Sequence, residues 1–598
     1  MAKKRTEIDD KYKWNIASMY ADEAAWEKDY EESLRRAEAF SSYAGRLNEG
    51  SAVLLEALKA RDALWQITEK VYVYARQLRD EDNTLSAGQG MTDRAHTLMA
   101  KAAAFSSFFI PEIISIGDEE MAVLIADEPL LEIYDYELRS IRREKAHILG
   151  QSEEEILAKL SEALGATNDI FTMLSDADMR FGEITGEDGD PVELTHGNYI
   201  KFMESKNRPV REAAYKAMYT AYISMKNTLA TSYAYNVKTD VISADIRKYP
   251  SSLEAALSSD NVSRDVYTNL IDTVNGNLPV LHGYLDTKRR LLGLDKLAMY
   301  DVYAPLVDAP DEGKGVTFDE AIQIMGKALA PLGEEYVNAA IEGAQSGWID
   351  VYENEGKSSG AYSFGSYDSK PFILMNYAGK IKDVFTLIHE MGHSMHSYYT
   401  RKTQPFVYGS HSIFTAEVAS TVNENLLVRY LLENAEDDKT RAYYTGIFLE
   451  EFRTTLFRQT MFAEFELFTH EASEHGEPLT NEMLCDHYGA LNQKYFGANT
   501  DADEYIRSEW SRIPHFYRAF YVYKYATGFS AAAAIASRIL REGQSAVDEY
   551  LDFLATGNSD DPIELLKIAG VDMSKPGPIE DAMHEFESLA KSFDQLTQ

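Results

Sequence analysis

The sequence predicts a mainly α-helical fold with one small β-sheet placed directly before one particular helix. Apolar residues recur at three- and four-residue spacing through most of the 598 residues, which is the period of an amphipathic helix. Two regions break this pattern with short alternating runs between turn residues, at 179–195 and at 348–377. Disorder as the main state is excluded, because 45% apolar and 12% aromatic residues supply enough surface for a large core.

The first part of the chain is predicted to form successive helices followed by a β-hairpin. The helical spacing covers residues 20–48, 51–80 and 89–109. Two short runs between Met179 and Thr195 then flank a Gly/Asp-rich turn, which predicts the hairpin. We place a domain boundary after it, which gives an N-terminal helical lobe of residues 1–195 and a second region of residues 196–598.

The second region is predicted to be helical on both sides of a small sheet. Helical spacing returns in residues 199–305 and 318–346, and it continues from Asp383 to the end of the chain. Between them, β-like runs lie at 348–352, 360–364 and 371–377. We expect residues 371–377 to present an exposed strand edge that pairs with an extended peptide.

Charge and cysteine content restrict the partners and the compartment. The chain has 59 basic and 97 acidic residues and a net charge of −38, which repels phosphate backbones and anionic lipid. We therefore expect no nucleic-acid partner and no membrane partner. Cys485 is the only cysteine, which suits a reducing compartment, and no apolar leader follows Met1. These features predict a cytoplasmic protein, and they leave its oligomeric state open.

One predicted helix carries the motif H-E-x-x-H, as His389-Glu390-Met391-Gly392-His393. With 13 histidines in the chain, chance gives about 0.03 such matches. Residues four apart lie on one face of a helix, so His389 and His393 are able to bind one Zn²⁺. Glu390 lies beside the first ligand and within reach of a water at the metal. Asp383 is the predicted N-cap of this helix.

A catalytic zinc needs a third protein ligand, and the next helix offers one. His396 shares the histidine face, but seven residues separate it from His389, about 10 Å of helix rise, so one metal cannot easily hold both. We interpret His396 as a neighbour that either lines the cleft or is an ordinary packed or solvated histidine. Glu417 follows a loop at residues 401–412 and lies on a helix that returns antiparallel, so it is able to complete a His₂Glu site. Glu424, two turns further on the same face, is a candidate hydrogen-bond partner for a ligand histidine.

At these residues the sequence resembles the M3 family of zinc metallopeptidases, most closely its oligoendopeptidase F branch. The matching segments are Gly360-Ala361-Tyr362, residues 371–377, the H-E-M-G-H helix, Glu417 with Glu424, and residues 514–528. The resemblance implies a two-lobed helical zincin of the thimet oligopeptidase and neurolysin type, with a deep substrate channel. It also implies that residues 196–598 form a catalytic region, which binds one Zn²⁺ and cuts internal bonds of short oligopeptides.

The family pattern assigns roles to single residues. His389, His393 and Glu417 match its zinc ligands, and Glu390 matches its general base. His515 and a following tyrosine match the groups that bind the developing oxyanion. Four tyrosines are available for this role, and we favour Tyr525, with Tyr521 one turn earlier on the same face. The four are Tyr517, Tyr521, Tyr523 and Tyr525.

Two other functions stay open at the level of sequence. A zinc carboxypeptidase or dipeptidase on a related helical fold needs a cation for the substrate carboxylate, and Arg512 and Arg518 flank His515. A helical binding protein with a non-catalytic metal site is the third interpretation. An open fourth metal position argues against it, since structural zinc sites are closed by four protein ligands.

Overall fold

The structure is a computed structural model, and it describes residues 3–310 and 315–598. The predicted mainly α-helical fold is confirmed. In chain order the helices are α1 (Glu23–Phe40), α2 (Ser51–Glu81), α3 (Ser86–Ser106), α4 (Phe109–Ser115), α5 (Asp118–Asp127), α6 (Asp135–Arg143), α7 (Gln151–Thr172), α8 (His196–Met203), α9 (Arg208–Ser224), α10 (Lys226–Ile246), α11 (Ser252–Ser258), α12 (Arg264–Gly276), α13 (Leu278–Leu291), α14 (Phe318–Ala328), α15 (Glu334–Gln345), α16 (Ile381–Thr403), α17 (Ile413–Glu433), α18 (Asp438–Glu451), α19 (Arg458–Glu474), α20 (Asn481–Phe496), α21 (Tyr523–Glu542), α22 (Gln544–Leu554), α23 (Pro562–Ile568) and α24 (Gly577–Leu596).

The strands are short and form three small sheets. β1 (Glu183–Thr185) and β2 (Pro191–Glu193) pair antiparallel, which confirms the predicted hairpin. β3 (Leu297–Ala298) pairs in parallel with β7 (Thr500–Asp501). The third sheet has the order β4-β6-β5, and its strands are β4 (Ile349–Asp350), β5 (Tyr362–Phe364) and β6 (Phe372–Leu374). This sheet precedes α16 in the chain, as predicted.

The position of β6 corrects one expectation from the sequence. β6 pairs in parallel with β4 on one side and antiparallel with β5 on the other, so it has no free edge. Phe372, Ile373 and Leu374 are each 0% exposed. The expected exposed strand edge at 371–377 is therefore wrong. On one side of β6 the outer strand of the sheet is β5, which follows Gly360.

The described residues divide into two compact units, each assembled from separate stretches of chain. The first unit comprises residues 3–146, 315–430 and 535–571, and the second comprises residues 147–310, 431–534 and 572–598. Two of the boundaries between the units thus fall within helices, one in α17 and one in α21. The division of the chain after residue 195 into a lobe and a catalytic region stays a prediction.

In the first unit, the beginning of the chain completes the core beneath β6. Trp14 and Trp26 are buried in one cluster with Val71 of α2 and Phe372 of β6. The rings of Trp14 and Phe372 meet edge to face, with centroids 6.2 Å apart. Arg5 pairs with the buried Asp350 of β4 at 2.6 Å. The sheet before α16 is therefore supported by residues more than 300 positions earlier.

One helical stretch of the described chain, Ser86–Ser115, is long and apolar enough to cross a membrane by length and composition alone. It is not an uninterrupted apolar run, because it contains Asp93, Arg94 and Lys101. In the structure its longer helix, α3, packs against α1 and α2. Arg94 forms a two-pronged ion pair with Glu27 of α1. Core helices of water-soluble proteins share this length and composition.

Candidate active site

The H-E-x-x-H motif lies in the middle of α16, whose other face builds the core. Val384, Leu387 and Met391 are each 0% exposed. The sequence predicted Asp383 as the N-cap of α16, and this is wrong. The helix begins two residues earlier, at Ile381. Its carboxylate instead accepts hydrogen bonds from the backbone N–H groups of Ala378 and Lys380, at 2.9 and 2.8 Å. Asp383 thus still satisfies free donors at the helix start, from the third position of the helix.

α17 runs antiparallel to α16, and the two backbones approach closely at Gly392. A Cβ atom at Gly392 would lie 2.5 Å from the Cα of Ser420 and 2.7 Å from the carbonyl oxygen of Ala419. Asn423 joins the helices a turn away, since its amide donates to the carbonyl of Ile388 at 3.3 Å. The Tyr336 hydroxyl of α15 in turn donates to the Asn423 amide oxygen at 3.0 Å. This packing places residues of α17 opposite the two histidines.

His389, His393 and Glu417 form a group whose ligand atoms all lie within 4.8 Å of one another. The two histidine Nε2 atoms are 3.2 Å apart. Glu417 Oε2 lies 3.6 Å from Nε2 of His389 and 3.7 Å from Nε2 of His393. Ligands at 2.0–2.1 Å around a tetrahedral zinc stand about 3.3–3.4 Å apart. The three side chains therefore fit one zinc ion, with a fourth position open.

The outer nitrogen of His389 faces Glu424, as the sequence predicted. His389 Nδ1 and Glu424 Oε1 are 3.1 Å apart, so the N–H at Nδ1 donates to the carboxylate. This leaves the Nε2 lone pair directed at the group. Glu424 thus fixes both the tautomer and the orientation of the imidazole.

Replacing Glu424 with alanine should weaken zinc binding by about 10–100-fold, because His389 loses the partner that orients it. The measurement is the zinc dissociation constant, obtained by titration against a chelator of known affinity. Glu433→Ala, an exposed change at the end of the same helix, is the matched control and should leave zinc affinity unchanged. Equal affinity in Glu424→Ala and wild type would contradict this role.

Glu390 lies beside the ligand group without belonging to it. Its side chain is buried, with 8% exposure of the residue, and it accepts a hydrogen bond from the backbone N–H of Ser363 in β5. Burial raises the pKa of the Glu390 carboxyl to about 7, although the neighbouring His389 opposes this. The edge strand and the motif helix together therefore hold a carboxylate that is able to accept and return a proton.

His396 does not take part in the group. It is 1% exposed, and its ring stacks on that of His411 with centroids 3.8 Å apart. Phe553 of α22 lies on it with centroids 5.5 Å apart. This packing agrees with the exclusion of His396 as a ligand on the grounds of helix rise.

In the second unit, His515, Tyr521 and Tyr525 form a cluster of rings. The ring centroid of His515 lies 6.1 Å from that of Tyr521 and 6.0 Å from that of Tyr525. The two tyrosine hydroxyls are 3.4 Å apart. Tyr523 is fully buried, and Tyr517 stacks on Phe171 at 4.5 Å. Of the four tyrosines, the structure thus groups Tyr521 and Tyr525 with His515.

Both arginines that flank His515 contact neighbouring side chains of the protein. Arg512 lies 3.6 Å from the buried Glu509 and over the rings of Tyr199 and Tyr219. The guanidinium of Arg518 stacks over the ring of Tyr521 at 4.1 Å. The packing of Arg512 disfavours it as a binding group for a substrate carboxylate.

Three contributors to the site were missed in the sequence. They are Ser363, whose N–H binds Glu390, Asn423, which links the helices, and Ser420, which Gly392 approaches. The glycine inside H-E-M-G-H was the available signal, since a glycine in a helix interior often marks close packing. Nothing in the sequence indicated the roles of Ser363 and Asn423, because these roles depend on which strands and helices pack together.

Comparison with known proteins agrees with this geometry. A family model described as Peptidase family M3 matches residues 201–585, and one described as Oligopeptidase F matches residues 112–181. Oligopeptidase PepF of Bacillus subtilis is 46% identical over 592 residues, which are 99% of this chain and 88% of that protein. A crystal structure of a putative peptidase from Chlamydophila abortus superposes with a TM-score of 0.94 at 36% identity, covering 100% of both chains. Oligoendopeptidase-F from Enterococcus faecium gives a TM-score of 0.74 at 38% identity, over 95% of this chain and 98% of that one.

A helical fold with a His-His-Glu group beside a buried glutamate is typical of a metal-dependent peptidase. The chain belongs to peptidase family M3, and its oligoendopeptidase F relatives indicate a metalloendopeptidase. The family implies a bound metal, generally zinc, and peptide substrates.

Proposed function

We propose that this protein is a zinc-dependent endopeptidase that hydrolyses internal bonds of short oligopeptides in the cytoplasm, with one zinc per chain. The observation that carries the proposal is the convergence of His389, His393 and Glu417 beside Glu390. Their donor set and spacing suit a zinc with one open position, which is the arrangement of catalytic rather than structural zinc. Membership of family M3 supports the reaction class.

In this proposal Glu390 is the general base. A zinc ion held by the three ligands would supply Lewis acidity toward water and toward the scissile carbonyl. The Glu390 carboxylate takes the proton of the attacking water and returns it to the leaving amine. The N–H of Ser363 holds this carboxylate in place, and its burial favours the protonated state that the second step requires.

His515 and Tyr525, with Tyr521, are assigned the stabilisation of the oxyanion. The family resemblance supplies this role, and the ring cluster of these three residues supports it. Imidazole N–H and phenol O–H groups are suitable donors to a developing negative charge. The hydroxyl contact between the tyrosines makes Tyr521 a partner that orients Tyr525.

Substrate binding is assigned to β5, the edge strand. An extended peptide that pairs with this edge binds through its main chain, with little demand on its sequence. Gly360, at φ +82°, precedes the strand, and no atom in the described part of the chain lies within 4 Å of where its Cβ would be. The net charge of −38 and the single cysteine support a cytoplasmic enzyme with neither nucleic-acid nor membrane partners.

The test is a product map by mass spectrometry. A set of short synthetic peptides is incubated with the zinc-loaded protein and, in parallel, with Glu390→Gln. We expect internal cuts that are absent from the variant. Stepwise release of single residues or dipeptides would contradict the endopeptidase proposal and indicate a carboxypeptidase or dipeptidase. No cleavage by the zinc-loaded wild type would favour a binding protein with a non-catalytic metal site.

A further inference from the structure

Phe520 has a backbone conformation that its residue type rarely adopts. Its φ is +52°, and the only other non-glycine residues with positive φ in the described chain are Lys248 and Asn261. A bulky side chain in this left-handed region needs support from its surroundings. Phe520 lies between His515 and Tyr521, where the chain turns from the 3₁₀ turn at 514–517 toward α21. The backbone conformation at Phe520 therefore determines the direction in which the chain continues from His515 to Tyr521 and α21.

Glu466 of α19 supplies that support at the backbone of Phe520. Its Oε1 accepts the N–H of Phe520 at 2.9 Å. Glu466 is 0% exposed, and among the described residues its second oxygen has no hydrogen-bond partner. No cation of the described chain pairs with it, and burial raises the pKa of its carboxyl well above the ordinary value. A buried carboxyl kept for a single backbone contact is costly, which points to a specific task at that contact.

The Phe520 side chain is held from two further sides. The ring of Tyr267 meets it edge to face with centroids 5.6 Å apart, and the ring of His470 lies at 4.4 Å. His470 is itself fixed, because its Nδ1 bonds to the backbone carbonyl of Glu466 at 2.8 Å. One turn of α19 thus contacts Phe520 twice: Glu466 accepts its backbone N–H, and His470 packs on its ring.

We propose that Glu466 is a positioning residue, whose buried carboxyl oxygen anchors the Phe520 backbone and thereby sets His515, Tyr521 and Tyr525 as one unit. It acts through these side chains and does not touch the substrate. The proposal rests on the function proposed above, because it assigns Glu466 to the orientation of the oxyanion donors. A change at Glu466 should therefore lower kcat and leave KM and zinc content nearly unchanged.

The experiment compares Glu466→Gln with Glu466→Leu. Glutamine keeps an acceptor oxygen in the same place and should retain most of kcat. Leucine fills the space without an acceptor and should lower kcat by on the order of 10²-fold, the cost of a displacement of about 1 Å. Glu471→Gln, a change at a partly exposed carboxylate of the same helix that pairs with Arg264, should leave kcat unchanged. Equal kcat in Glu466→Leu and wild type would overturn the proposal.

A double-mutant cycle separates positioning from a general loss of structure. If Glu466 acts through His515, Tyr521 and Tyr525, then Glu466→Leu should lower kcat by a smaller factor in a His515→Ala background than in the wild type. Losses that multiply would overturn the proposal, and so would near-normal kcat in His515→Ala alone.

Hydrogen exchange of the peptide covering residues 514–525 supplies a readout that does not depend on activity. Exchange should be faster in Glu466→Leu than in Glu466→Gln. Equal protection in the two variants would overturn the anchoring. Absence of peptide cleavage by the wild type would instead overturn the proposed function, and the exchange experiment would still judge the anchor.

Discussion

Glu390→Gln should lower kcat by about 10²–10⁴-fold while zinc content and fold stay those of the wild type. Glutamine has nearly the same shape as glutamate, so the hydrogen bond from the Ser363 N–H to the side-chain oxygen is retained. It is unable to accept a proton from the attacking water. The loss is therefore confined to the proton transfers. The measurements are steady-state kinetics on an internally quenched peptide and metal analysis of the same samples.

A matched control for this change is Glu335→Gln. Glu335 is exposed and pairs with Lys402 at the far end of α16, at 3.1 Å. Its neutralisation removes one negative charge near the same helix without touching the ligand group. We expect kcat and zinc content to stay unchanged. Turnover near the wild-type rate in Glu390→Gln, at full zinc occupancy, would remove Glu390 from the role of base.

Gly392→Ala should lower kcat/KM by on the order of 10²-fold and weaken zinc binding, although it adds one methyl group. The added Cβ would lie 2.5 Å from the Cα of Ser420. The atom it meets belongs to the backbone, so no side-chain rotation relieves the overlap. α17 must move away from α16 and carry Glu417 with it. Displacements of about 1 Å at reacting groups cost about this much activity, and overpacking costs about 1–3 kcal/mol of stability.

The control for this second change is Gly283→Ala in α13. No atom of the described residues lies within 4 Å of the position that its Cβ would occupy. Alanine is favoured over glycine in a helix by about 1 kcal/mol, so stability should stay equal or rise slightly. Activity and zinc affinity should not change. If Gly392→Ala behaves like this control, the close crossing at Gly392 does not hold the ligands together.

The ligand group was predictable because its information is local. Two histidines four residues apart share a helix face wherever that helix lies, and Glu417 needed only one loop and an antiparallel return. The contact between His389 and Glu424 follows from the same reasoning by adding two turns. The resemblance to a known family was needed for His515 and the tyrosines, because no spacing rule connects them to the motif.

Other features depend on contacts that the sequence does not display. Residues 371–377 have the composition of a strand, but the choice between an edge and a centre depends on which strands join on either side. Asp383 illustrates the same limit at a helix end, where an acidic residue caps from more than one position. The composition of the two units was equally hidden, since each combines stretches hundreds of residues apart.

The first unit has a consequence for how the enzyme is made. α16 is held by α22, since Thr400 donates to the carbonyl of Leu554 at 2.9 Å and His396 packs on Phe553. Tyr550 likewise contacts the carbonyl of Ala419 in α17 at 3.5 Å. A nascent chain that has passed Glu417 already contains all three residues of the His-His-Glu group but lacks this support. The ribosome must therefore release almost the whole polypeptide before α16 and α17 pack as they do in the finished protein.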